Sequence, residues 1–255
     1  MRYVYGPVPS WRLGKSLGVD PVSTPIRTCS FDCVYCQLGP AIEPLTERQV
    51  FVEANDLDFQ LKEFKDVQAD TVTFSGMAEP TLALNLAKLV KVTKRNLPHI
   101  PVAILTNSSL ISRKDVQNDL SFFDIVIAKL DASNDETFTR MNRPRFPITI
   151  NEIVESLGVF KEHFPGSFRI QMMFLKENQH LAKEMAALAR SLSPDLVYLN
   201  TPLRPCEVTP LSKETMNDIA TAFEGMKVSN VYNTLPPAVD PVNHRETLRR
   251  RPPKK

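Results

Sequence analysis

The segment CSFDCVYC, residues 29–36, carries three of the chain's four cysteines. Cys29, Cys33 and Cys36 follow a C-x3-C-x2-C spacing, short enough for one loop to gather all three thiols. A structural zinc site or a fully ligated iron–sulfur cube takes four protein ligands, so this loop is one short. Chance packing is a poor account of it, because buried structural thiols do not fall together in one polar loop. Zinc would need its fourth ligand from Cys206 or from a distant histidine, His99, His163, His180 or His244. The remaining reading is a [4Fe–4S] cube held at three irons. Its open iron can chelate a small molecule and hold it against a one-electron donor.

The rest of the composition bounds what surrounds that loop. A chain of 255 residues, 42% hydrophobic and 24% charged, is long enough for one sizeable core and ordinary for a soluble protein. No apolar run approaches the roughly 18 residues that span a bilayer. The opening MRYVYGPVPSWRLGKS has no apolar signal region, and four unevenly spaced cysteines without a signal imply a reducing compartment. The expected location is therefore cytoplasmic. A net charge of +2 hides an uneven distribution: after Asn243 there are six Lys/Arg against one Glu, leaving 25 basic and 28 acidic residues before it. Bulk charge thus gives the body no nucleic-acid-binding character. Residues 241–255 are expected to be a flexible basic tail on a single domain spanning 1–240.

Periodicity gives the fold class. Apolar residues at i, i+4 and i+7 mark helices at Leu57, Leu61 and Phe64; at Leu82, Leu86 and Leu89; at Ile153, Leu157 and Phe160; and at Leu181, Met185 and Leu188. A further helix is expected from Ser212 as N-cap, burying Met216, Ile219 and Phe223. Between them lie β-rich runs: SLGVDPV (16–22), TVTFSG (71–76), VAILTN (102–107), DIVIAKLD (124–131), FRIQMMFL (168–175) and LVYLN (196–200). Alternation of this kind predicts right-handed βαβ units. The fold class is α/β: a partial (β/α)6 barrel of parallel strands, helices outside, with irregular terminal extensions.

The cysteine spacing, with the aromatic Tyr35 before the last cysteine, resembles the radical S-adenosylmethionine superfamily. The likeness runs along most of the chain. FSGMAEPTL (74–82) is similar to the family's glycine-glycine-glutamate element, with Gly76 and Glu79 in place and Ala78 where a second glycine is expected. LTNSSL (105–110) supplies Asn107, and YLNTPLRP (198–205) supplies Asn200 and Arg204. AKLDASNDETFTRMNRP (128–144), with Lys129 and Asp131, resembles the wyosine-synthase-like branch, as does the opening GPVPSWRLGKSLGVD. The second cluster's cysteines found in that branch are missing before Cys29.

The resemblance implies two cofactors, a [4Fe–4S] cluster on Cys29, Cys33 and Cys36, and S-adenosylmethionine. Tyr35 is then expected by the adenine and Glu79 at the methionyl amine, with Gly76, Asn107, Lys129, Asp131 and Asn200 around the cofactor. Most of these fall just after a predicted strand, where ligands bind in parallel α/β sheets. The implied activity is reductive cleavage to a 5′-deoxyadenosyl radical that abstracts hydrogen from a substrate, with flavodoxin or ferredoxin as the low-potential donor. The branch suggests an RNA substrate, which the net acidic body does not favour. Two alternatives are a glycyl-radical-enzyme activase and a non-catalytic protein holding a cluster or zinc. Cys206 reads as a buried thiol. The run LGKS (13–16) is not a phosphate loop, since Pro9 stands where that motif needs glycine.

Overall fold

The computed structural model describes residues 1–253. Its strands are β1 (Val4–Ser10), β2 (Gly14–Val19), β3 (Thr28–Cys29), β4 (Glu43–Pro44), β5 (Thr71–Phe74), β6 (Val102–Thr106), β7 (Ile125–Lys129), β8 (Ser167–Met173), β9 (Leu196–Asn200) and β10 (Val228–Asn230). The helices are α1 (Ala54–Leu61), α2 (Leu86–Asn96), α3 (Lys114–Leu120), α4 (Asp135–Asn142), α5 (Ile150–His163), α6 (Ala182–Leu192), α7 (Lys213–Thr221) and α8 (His244–Arg250).

One sheet runs in the order β1-β2-β5-β6-β7-β8-β9-β10. From β2 to β10 neighbouring strands pair in parallel, and β1 closes one edge antiparallel to β2. The sheet curls into a half-barrel with helices packed outside, as the α/β alternation predicts. Apolar helix faces make the outer core: Leu57 and Leu61 of α1, Leu86 and Leu89 of α2, Ile153, Leu157 and Phe160 of α5, and Met185 and Ala189 of α6. Each large side chain so buried contributes about 1.5–3 kcal/mol.

Local chemistry sets the helix boundaries. Thr149 and Glu152 form a reciprocal capping box at the start of α5, and Ser212 accepts from Thr215 N to start α7 as expected. Leu82 lies outside α2. Pro80–Leu82 make a single 3₁₀ turn, and Ala83 is extended, so the helix begins one turn later than the apolar spacing suggests.

Two strands of this sheet, β1 and β10, fell outside the sequence expectation, as did the separate two-residue pair β3 and β4. In β1, VYGPVPS, the prolines mask a strand that an edge position tolerates, and β10 is three residues long. The stretch 241–255, expected to be a flexible tail, holds α8, whose Arg250 side chain is fully buried; Lys254 and Lys255 lie outside the described residues.

Candidate active site

The curled sheet encloses a cavity of about 310 Å³. Tyr35, Cys36, Gly76, Lys129 and Asn200 all line it, and so does Arg204. Cys29, Cys33, Glu79, Asn107 and Asp131 are not among the lining residues; Asp131 is hydrogen-bonded to Tyr35 and Met173, and Cys33 to Cys36, which are.

The cysteine loop is tied down on several sides. Val34 N donates to Met141 O at 3.0 Å, Asp32 N reaches the end of α4, and Cys36 N donates to Cys33 O at 3.0 Å. Asp32 is braced by Arg145 at 2.6 Å and by Arg27 at 3.4 Å. Each thiol has an N–H donor near its sulfur: Arg27 at 3.1 Å from Cys36 Sγ, Asn142 Nδ2 at 3.6 Å from Cys33 Sγ, and Asn107 Nδ2 at 4.0 Å from Cys29 Sγ. Burial pushes the Cys29 thiol up to about 11 and Cys33 up to about 12, the latter opposed by Lys129. Both are protonated at neutral pH, so metal loading would release protons.

Among the described residues no three His, Cys, Asp or Glu side chains already close on one point. The donor set nevertheless fits an iron–sulfur group. Three soft sulfur ligands share one braced loop, each with an N–H nearby of the kind that stabilises a cluster-bound thiolate.

Asp131, just beyond β7, organises the next layer. Its Oδ1 accepts from Met173 N at 2.8 Å, while Oδ2 accepts from the Tyr35 hydroxyl and from Asn142 Nδ2 at 3.0 Å. Lys129 Nζ lies 3.3 Å from the same carboxylate and 4.4 Å from the Tyr35 ring centroid. One face of Tyr35 is therefore covered by an ammonium. Burial and then Asp131 raise the phenol well above its ordinary value, so it stays a donor.

Glu79 is engaged by the protein's own donors. It is 2% exposed, and its Oε1 accepts from Thr81 N at 3.1 Å, Thr81 Oγ1 at 2.7 Å and Thr106 Oγ1 at 2.7 Å. Oε2 accepts from Asn107 N at 2.6 Å. Burial raises its carboxyl above the usual value against these donors. Glu79 thus pins the ends of β5 and β6 together, with room for one more donor on Oε2.

Gly76 is required by close approach: a Cβ there would come within 2.2 Å of Asp20 Cγ. Ala78, by contrast, is not among the residues of positive φ, so this backbone path needs no second glycine. Asn200 is the last residue of β9, and its carbonyl accepts from Phe174 N at 2.7 Å. Cys206 is a free, part-exposed thiol that donates to Val208 O at 3.2 Å.

Sequence reasoning missed Asn142, which donates to Asp131 and to the Tyr35 hydroxyl at 2.7 Å. It lies within the quoted stretch 128–144, but nothing in the sequence sets it apart from an ordinary helix-terminal asparagine. Asp20 was missed because its partner Arg250 is remote in the chain, and Arg27 because its spacing to Asp32 and Cys36 forms no motif.

A half-barrel of parallel strands with a three-cysteine loop over its inner cavity defines a class, and the sequence agrees with it. The profile of the Radical SAM superfamily matches residues 23–189, and the chain belongs to that superfamily. UPF0026 protein MJ1312 of Methanocaldococcus jannaschii is 38% identical over 212 residues, covering 80% of this chain and 65% of that one. UPF0026 protein slr1464 of Synechocystis is 37% identical over 212 residues, covering 83% and 78%. The chain thus spans a little under two thirds of the first relative's length. Streptococcus suis SuiB, solved with S-adenosylmethionine bound, shares the fold at a TM-score of 0.61 and 16% identity, over 84% of this chain and 47% of that chain. Among the described residues no helix is long and apolar enough to cross a membrane.

Proposed function

We propose that this radical S-adenosylmethionine enzyme holds a [4Fe–4S] cluster on Cys29, Cys33 and Cys36 and binds S-adenosylmethionine in the adjoining cavity. When bound and reduced, these groups supply a 5′-deoxyadenosyl radical and methionine, and the radical takes a hydrogen atom from substrate carbon. The observation that carries the reading is the placement of the braced cysteine loop at the end of the cavity lined by Gly76, Lys129 and Tyr35.

The chain's own residues have three tasks. Arg27, Asn107 and Asn142 direct N–H groups at the sulfurs, holding the loop in register and moderating thiolate charge. Asp131 keeps Lys129 and Tyr35 fixed at the wall against which the cofactor would lie. Glu79, through the free lone pair on Oε2, would take the cofactor's ammonium, with Asn107 and Asn200 flanking.

Within this reading flavodoxin or ferredoxin is the electron source and the compartment is the reducing cytoplasm. The narrower assignment, the wyosine-synthase-like branch with a transfer-RNA base as substrate, rests on the stretch 128–144 and on the opening segment.

Anaerobic reconstitution with iron and sulfide, followed by dithionite and S-adenosylmethionine, tests the proposal. Formation of 5′-deoxyadenosine that disappears in the Cys29/Cys33/Cys36→Ala variant is the expected result. A cluster that assembles without any spectroscopic response to S-adenosylmethionine would overturn it.

A further inference from the structure

Away from the cysteines, the cavity wall changes character. Arg12 on the β1–β2 turn, Arg204 after β9 and Arg251 beyond α8 all line it, brought together from three remote parts of the chain. Among the described residues none of the three is paired with a carboxylate. Arg204 donates to the carbonyl of Pro252, and Arg251 donates to Pro9 O at 2.6 Å; neither contact removes charge. The Arg12 side chain has no hydrogen bond among the described residues. Its Nε is buried without a partner, and its guanidinium lies 5.2 Å from the Trp11 ring centroid. The other cations of the cavity are neutralised: Arg250 by Asp20 and Glu246, and Lys129 by Asp131.

Like charges facing one cavity are unfavourable. Burial, with repulsion from Arg251 and Arg204, brings Arg12 down to about 10, and burial with Arg251 brings Arg204 to about 10. A fold keeps such an arrangement when an anion completes it. One carboxylate is matched by one bidentate guanidinium, whereas three forks suit a phosphate dianion with three terminal oxygens.

We propose that Arg12, Arg204 and Arg251 seat the phosphate group of a phosphorylated small-molecule substrate, with its reacting carbon directed toward the cysteine end. That the phosphate belongs to the substrate rests on the radical mechanism proposed above; the anion site itself does not. Arg12 enters from the amino ends of the parallel strands and Arg204 from the carboxyl end of β9, so the cluster shares one cavity with Tyr35 and Cys36.

Trp11 is the chain's single tryptophan and stacks beside Arg12, so its fluorescence reports on the site directly. Inorganic phosphate and pyrophosphate are titrated into the full, cluster-loaded chain, with acetate at matched ionic strength as control. A saturable change with both phosphates and none with acetate is expected, weakened at least about tenfold in Arg204→Gln and Arg251→Gln. Phosphate should also raise the melting temperature of the parent chain but not of these variants, which separates lost binding from lost folding. An unsaturable response, an equal response to acetate, or parental affinity in folded variants would overturn the proposal. A ten-nucleotide single-stranded RNA at equal phosphate concentration distinguishes the source. No response to it supports a small molecule, and a response to RNA alone overturns the enclosed site. The titration needs no turnover, so failure to form 5′-deoxyadenosine leaves it standing, and the converse also holds.

Discussion

The two stretches of the cavity wall follow opposite electrostatic plans. Around the cysteine loop charges stand in ion pairs: Lys129 with Asp131, Asp32 with Arg27 and Arg145, Asp20 with Arg250. Around Trp11 three guanidiniums share space with no carboxylate among the described residues. Paired charges fix geometry before any ligand arrives, as a site that must aim a reactive group requires. Unpaired ones store repulsion that a ligand of opposite sign relieves. On the two proposals above, the contrast separates the part of the cavity that positions chemistry from the part that selects a substrate.

Cys33→Ala should produce the largest effect at the preorganised end. It removes one of three ligands, so iron and sulfide content after reconstitution should fall to background. A full complement of iron in this variant would mean that the loop is not the cluster site.

Arg250→Ala comes next in size and probes the boundary between the two ends. The side chain is wholly buried, 2.7 Å from Asp20 Oδ2 and 2.6 Å from Glu246, and it donates to Arg2 O and Ser23 Oγ. Losing it leaves Asp20 buried and uncompensated beside Gly76, at a cost of about 3–5 kcal/mol. Urea unfolding of the parent and variant measures this. A loss below about 1 kcal/mol, the range of an exposed pair, would mean that residues 241–253 behave as the solvated tail that their charge suggests.

That tail shows where sequence reading ran out. The α/β half-barrel was legible because buried helix stripes and β-rich runs repeat along the chain with periods that backbone geometry imposes. The cysteine spacing was legible because it is local. Arg250 was not, because its partner Asp20 is 230 residues away and a charge count gives the same sum for a paired and a solvated arginine. The guanidinium cluster escaped for the same reason: Arg12, Arg204 and Arg251 meet only through the closure of the fold. Glu79 lies between these cases. Its motif placed it at the end of β5, but its four donors come from Thr81, Thr106 and Asn107, contacts that no motif records.

Glu79→Ala should therefore act twice. Leaving Asn107 N–H and the threonine donors without their acceptor should destabilise the fold by about 1–3 kcal/mol, read by chemical denaturation. Separately, S-adenosylmethionine should perturb the cluster's EPR signal only at higher concentration in the folded variant. Loss of stability with unchanged cofactor response would assign Glu79 wholly to joining β5 and β6.

Tyr35→Phe should be the mildest, because the preorganised end is redundant around Asp131. The substitution deletes one hydroxyl, yet Oδ2 keeps Asn142 at 3.0 Å and Lys129 at 3.3 Å, and Oδ1 keeps Met173 N at 2.8 Å. The ring itself stays beneath Lys129. A loss of about 0.5–1.5 kcal/mol in denaturant unfolding is expected, with iron loading at the parental level. If iron loading fell as it should in Cys33→Ala, the hydroxyl would be holding the cysteine loop in place, and the pairing around Asp131 would be a condition for cluster assembly rather than a brace added to it.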